Sequence, residues 1–241
     1  MKMETVVPAS GSARNFSVDQ ASPRFTWYTV GLVVFFPLIA VLEHRVPRHP
    51  SHHQVPFRME ARLFVVIVEW VLFFVAYRGI RASGVRFANA MGQPGSSLPE
   101  LRKDIKIARI IVLLIYLNDH LLRYFGPFSP SSVGHATTGH QYVFTLFVAV
   151  SAGVTEEVIF RGLLLPQFHL LTSNIAAAGA IQSCVFALAH GGNQSPTLFL
   201  KHFCSGCLFA YAAITRKSLW PAILAHVLFD VLVFTIQFRA R

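Results

Sequence analysis

Charge is scarce in this chain of 241 residues: Asp, Glu, Lys and Arg together make up 13%, where a soluble domain carries about 25%. Acidic side chains are the rarer half, 11 against 21 Lys and Arg, for a formal net charge of +10. Cysteine is nearly missing as well. Cys184, Cys204 and Cys207 are an odd set, all inside apolar segments, and form no disulfide framework. Cys204 and Cys207 have CxxC spacing but no second pair, so small residues packed between helices are the simpler reading. No apolar stretch follows the initial Met, so nothing reads as a secretory signal, and the first apolar run is expected to stay as an anchor. No internal repeat is visible. These absences exclude a disordered chain, a secreted disulfide scaffold and most cytosolic enzymes.

What is present is hydrophobic: 54% of the residues, with 22 Phe. A chain this apolar uses lipid as the solvent for its outer face, which predicts an all-α, polytopic helical bundle. Apolar runs lie at about 25–42, 63–77, 105–122, 142–165, 175–190, 197–215 and 220–238, giving about seven spans with room for an eighth, partial element. The expected organisation is a polar tail over 1–24, N-terminal transmembrane helices over 25–141 and a core over 142–241. The positive charge sits between apolar blocks rather than along one stripe, which argues for membrane topology over nucleic acid as partner. The densest basic loop holds Arg78, Arg81, Arg86, Arg102, Lys103 and Lys106 and is placed in the cytoplasm. Arg216 and Lys217 then fall on the same side. The four Arg of segment 43–62, and Arg239 and Arg241, fit that orientation less well. Segment 82–99 reads as a surface loop. Residues 101–109 read either as an interfacial helix or as a snorkelling start to the third span.

Ionisable groups inside apolar runs cost on the order of 3 kcal/mol each at a span centre, so they need partners. Glu157 and Arg161 are one helical turn apart and can pair. Glu156 points about 100° away and is free to face a cavity. The plainer reading is a helix end where both acids meet water. His190 closes the run Phe186–His190, either as an interfacial group or as a ligand or base. His226 and Asp230 share a helix face, either to present two groups to chemistry or to satisfy each other. Glu69 has no partner on its own helix and is assigned no role. His44, His49, His52 and His53 look like a solvated loop cluster, and His120 and His202 stay outside the expected site.

Taken in order, EExxxR, FxxxH and HxxxD resemble the CAAX protease and bacteriocin-processing family of intramembrane proteases. The surroundings agree: EEVIFRGLLLP over 156–166, then Tyr211, Thr215 and SLWPAILAHVLFD over 218–230. The resemblance covers about 142–238. It implies a helical bundle with an intramembrane polar cavity. The family includes type II endopeptidases that remove the last three residues of prenylated CAAX proteins, and members tied to bacteriocin maturation or immunity. Glu156, His190 and His226 match the family's functional positions. Asp230 stands where Asn is frequent. An ionised Asp cannot donate to an oxyanion, so Asp230 has to be protonated, orient His226 or bind a cation.

Peptide hydrolysis needs an activated water, a proton carrier and oxyanion stabilisation. No Ser or Cys sits in a nucleophile setting. Two schemes use the same residues. In one, Glu156 is the base, helped by His190, while His226 and Asp230 stabilise the oxyanion, with Glu157 and Arg161 in support. In the other, Zn²⁺ is held by His190, His226 and a carboxylate of Glu156 or Asp230; no HExxH is present. The expected activity is cleavage of a membrane-bound, prenylated or otherwise lipid-linked protein or peptide, in contact with membrane lipid. The expected location is a bacterial plasma membrane, read from the short loops and the compact chain. The alternatives are an inactive scaffold or immunity protein of the same fold, and a proton-coupled transporter using the buried acids. One tension remains at this level. Glu156 falls near mid-membrane and His190 near the far end of its helix, so they meet only if the helices are tilted or staggered, or the fifth begins deeper than its apolar run suggests; Gly191-Gly192 after His190 would permit a helix break.

Overall fold

The computed structural model describes residues 24–44, 59–95, 97–124, 138–191 and 195–239. Most of the polar tail, His49, His52, His53, Gly192 and Arg241 lie outside them. The described residues form helices and no strand. In chain order these are α1 (Trp27–His44), α2 (Met59–Ala82), the short α3 (Phe87–Met91), α4 (Leu98–Leu122) and α5 (Gly139–Glu157). α5 runs through a π-helical segment, Val158–Leu164, into α6 (Leu165–Thr172). α7 (Ile175–Ala189), α8 (Pro196–Arg216) and α9 (Trp220–Arg239) complete the bundle.

The bundle has an apolar exterior as well as an apolar core, with a few ionisable and polar groups buried within. Phe64 and Phe74 on α2 are 66% and 59% exposed, while Glu157, Arg161 and Gln182 are 0% exposed. The outer face is suited to lipid, and the buried polar groups are embedded in an otherwise apolar core. Met59–Ala82, Gly139–Thr172 and Pro196–Arg216 are long and apolar enough to cross a membrane; Trp27–Leu42, Ile175–Ala189 and Trp220–Val233 are shorter apolar helices. The third apolar run of the sequence is part of a longer helix, since α4 begins at Leu98 and carries the basic residues continuously with its apolar half. The presumed loop at 82–99 also contains a helix, α3.

Local chemistry sets the boundaries. Ser97, Thr138, Asn174 and Ser195 each cap a helix by accepting from a backbone N–H two or three residues on, which satisfies donors the first turn leaves free. Pro166 explains the π segment before it. Proline lacks an N–H and its ring would press on the carbonyl four residues back, at Gly162. A wider turn, closed by Leu165 N–H donating to Phe160 O, accommodates that crowding without ending the helix.

α9 is anchored at its start by the α3 region. Leu219 N–H donates to Met91 O at 2.9 Å, and Ser218 Oγ donates to Gln93 O at 3.0 Å. Gly92 makes this contact feasible: its φ is +68°, and a Cβ there would stand 2.6 Å from Lys217 O. On the same side of the bundle Arg216 bonds Asp104 and Glu100 at 2.7 and 2.8 Å, so the two basic ends placed together from sequence do lie together. Further along α9, α5 comes close through Gly153. A Cβ at 153 would meet Val227 Cγ2 at 2.5 Å and its backbone N at 3.1 Å. Gly153→Ala is therefore expected to destabilise the protein by about 1–3 kcal/mol, as overpacked cores do. Because Val227 adjoins His226, activity should fall more than the folded fraction does. Thermal unfolding in detergent, set beside turnover per folded molecule, checks this.

Candidate functional site

The polar cluster forms where α5, the π segment, α7, α8 and α9 converge. Its base is the buried pair of the EExxxR motif. Arg161 Nη1 donates to Glu157 Oε1 at 2.9 Å, with both side chains 0% exposed. Arg161 Nη2 donates to Gly206 O on α8 at 3.0 Å. The guanidinium carbon lies 4.6 Å from the Phe186 ring centre, 5.2 Å from Phe209 and 5.8 Å from Phe160. One cation thus ties three helices together, through a charge-assisted bond, a carbonyl and aromatic faces. Gly206 lets α8 approach: a Cβ there would meet Ser183 Cβ of α7 at 2.9 Å.

Glu157 has a second partner that residue spacing alone does not reveal. His226 Nδ1 lies 2.9 Å from the same Oε1. A carboxylate can only accept, so Nδ1 carries a proton whether the ring is neutral or an imidazolium, and Nε2 is turned away from Glu157. The ring is held flat against Phe209, centres 4.7 Å apart and planes 14° from parallel. Its other nitrogen, Nε2, then points at two carboxylates: Glu156 Oε2 at 3.9 Å and Asp230 Oδ2 at 3.8 Å. Both distances exceed direct hydrogen-bonding range and suit a group held between them. Glu156 Oε2 is buried without a hydrogen-bond partner.

His190 occupies the C-cap of α7. Its Nδ1 is 2.8 Å from Phe186 O. A carbonyl accepts, so Nδ1–H donates and Nε2 is left as an acceptor. The imidazole lies over Phe186 at 4.5 Å and stacks on His202 of α8 at 4.1 Å. It is close enough to Glu156 and His226 to interact with both electrostatically. The tension between mid-helix and helix-end positions resolves through length. α7 has 15 residues, about 22 Å at 1.5 Å each, short of a bilayer core of about 30 Å. A helix that short can be staggered against α5, and His190 at its C-cap is then exposed on one side while its ring lies on Phe186 and His202.

The structure thus brings Glu156, Glu157, Arg161, His190, His226 and Asp230 into one region. Among the described residues no group of three or more His, Cys, Asp or Glu side chains is arranged to hold a metal ion. The Zn²⁺ ligand set considered from sequence is not gathered as one. Two groups set aside in the sequence belong to the region. His202 stacks on His190, and Glu69 of α2 interacts electrostatically with Glu156, His226 and Asp230. A lone His in an apolar helix gave no signal. For Glu69 the signal was its cost in lipid, unmatched on its own helix. Lys201, next to His202, pairs with Asp119 at 2.7 Å and also acts on Asp230. His120 lies elsewhere, between Tyr116 and Tyr124, and the three cysteines are free thiols.

Residues 138–232 match the model of one protein family, described as type II CAAX prenyl endopeptidase Rce1-like. Neither the comparison with curated proteins nor that with solved structures finds a match.

Proposed function

We propose, from the match of residues 138–232 to the type II CAAX prenyl endopeptidase Rce1-like model, which supports membership of the CAAX protease and bacteriocin-processing family, that this integral membrane protein hydrolyses a peptide bond of a lipid-linked, membrane-associated protein or peptide with water activated by Glu156. The observation that carries this reading is the orientation of His226. One nitrogen is locked by Glu157 at 2.9 Å, and the other faces Glu156 and Asp230 at 3.9 and 3.8 Å.

The chemistry follows from that placement. Water between Glu156 and the substrate gives a proton to the Glu156 carboxylate as its oxygen bonds to the carbonyl carbon. His190 Nε2, an acceptor, helps to orient that water. The carbonyl π pair moves onto oxygen, and His226 Nε2–H, in its imidazolium form, donates to the oxyanion. The C–N bond then breaks, and nitrogen takes the proton from Glu156, leaving a carboxylic acid and an amine. Asp230 does not donate to the oxyanion in this scheme. Its carboxylate balances the His226 imidazolium, which accounts for an Asp where the family often has Asn. The apolar exterior admits a substrate carrying a lipid chain directly from the bilayer. We place the protein in a bacterial plasma membrane, on the compact chain and its short loops.

The test compares protein termini in membranes of cells carrying the native protein and cells carrying Glu156→Gln at matched abundance. New C-termini that depend on Glu156 are expected, and they identify the substrate at the same time. Identical termini, with the variant folded, overturn the hydrolytic reading in favour of a scaffold or immunity role.

A further inference from the structure

The proposed chemistry uses only residues of the matched segment, yet the N-terminal helices reach the same cluster through α2. The inward face of α2 is set by Val66, Ala76, Gly79 and Ile80, all buried. Trp70 fixes its register against α5, its Nε1–H donating to Ser151 Oγ at 2.8 Å. One position before Trp70, and one turn after Val66, stands Glu69. Its Oε2 is buried with no hydrogen-bond partner. So is Glu156 Oε2, five residues beyond Ser151 on α5, the helix that α2 packs against. Glu69 interacts electrostatically with Glu156, Asp230 and His226, the three groups that face one another across the site.

A carboxyl on the inner face of a membrane helix, without a cation of its own, is costly and is kept where it serves a purpose. Purely structural burial would leave Glu69 paired with an Arg or a backbone donor, as Glu157 is with Arg161. We propose that Glu69 is a positioning residue for hydrolysis, holding the Glu156 carboxyl and the attacking water in line. It gains and loses no proton over the cycle. The groups around Glu156 are then Glu69 from α2, Glu157 and Arg161 from its own helix, His190 from α7, and His226 and Asp230 from α9, with His202 and Lys201 of α8 acting on His190 and Asp230. This role rests on the hydrolytic reading above.

Two measurements separate the site from its role. In the first, Glu69→Cys and Glu156→Cys are combined in a background with Cys184, Cys204 and Cys207 replaced by Ala, and treated with a short bis-methanethiosulfonate. An intramolecular cross-link is expected. Its absence, with Trp70→Cys/Ser151→Cys cross-linking normally, removes Glu69 from the site whatever the activity. The second measures turnover of a fluorogenic farnesylated CAAX peptide. Glu69→Gln is expected to lower kcat by up to about 100-fold, the scale of a small misplacement of reacting groups, with KM unchanged. Glu69→Asp should recover part of the loss, and Glu69→Gln should add nothing to Glu156→Gln. Wild-type kcat in Glu69→Gln, or a loss explained by less folded protein, overturns the positioning role. If the native protein cleaves no such peptide, the hydrolytic reading fails and the role fails with it, while the cross-link still reports the position.

Discussion

Replacing Arg161 with Leu should leave almost no folded protein. The side chain is 0% exposed, and its charge is matched by Glu157, also 0% exposed. Removing the cation strands a carboxylate in the interior, which costs about 3–5 kcal/mol, a large share of a typical stability of about 5–15 kcal/mol. The change also frees Gly206 O, which accepts from Nη2 at 3.0 Å, and takes away the cation between Phe186 and Phe209. Arg161→Lys should rescue only in part. An ammonium can meet Glu157 or the carbonyl, but it lacks the planar fork that reaches both while lying on an aromatic face. The expected order of folded yield in detergent, by size-exclusion chromatography, is native, then Lys, then Leu. A Leu variant that is monodisperse and melts like the native protein would show that the pair carries little of the fold.

How far this was legible in the sequence depends on the range of the interaction. The helical bundle followed from apolar runs and scarce charge, because lipid leaves few other ways to satisfy a backbone. The Glu157–Arg161 pair was legible because four residues on a helix put side chains on one face. The third partner, His226, lies 69 residues away in sequence, and no local period encodes that contact. The same holds for His202, whose stacking on His190 depends on α7 and α8 closing over Gly206. The depth of His190 was left open, because the stagger of α7 against α5 is set by packing between helices and not by the apolar run of either. The π segment could have been read from Pro166, given that the apolar pattern continues through it. Glu69 was seen and left unexplained, since its meaning depends on which helix faces α2.

The two adjacent glutamates should separate stability from chemistry. Glu156→Gln keeps the size of the side chain and removes the base. Its Oε2 has no hydrogen-bond partner to lose, so the protein should melt like the native one while turnover falls by about 10²–10⁴-fold, the contribution of a general base. Glu157→Gln should do the reverse in part. The amide oxygen can still accept from Arg161 or His226, but it carries no charge to offset a guanidinium that is 0% exposed. A buried charge left uncompensated is the larger penalty, so the melting temperature should drop. The surviving folded molecules should also turn over more slowly, because the imidazole of His226 is then free to turn its Nε2 away from Glu156. Differential scanning fluorimetry and turnover per folded molecule, measured on both variants, give the comparison. The assignment fails if Glu157→Gln loses only activity and Glu156→Gln only stability. That outcome would make Glu157 the residue that meets the water and Glu156 the structural partner, the opposite of what the 2.9 Å contacts of Glu157 to both Arg161 and His226 require.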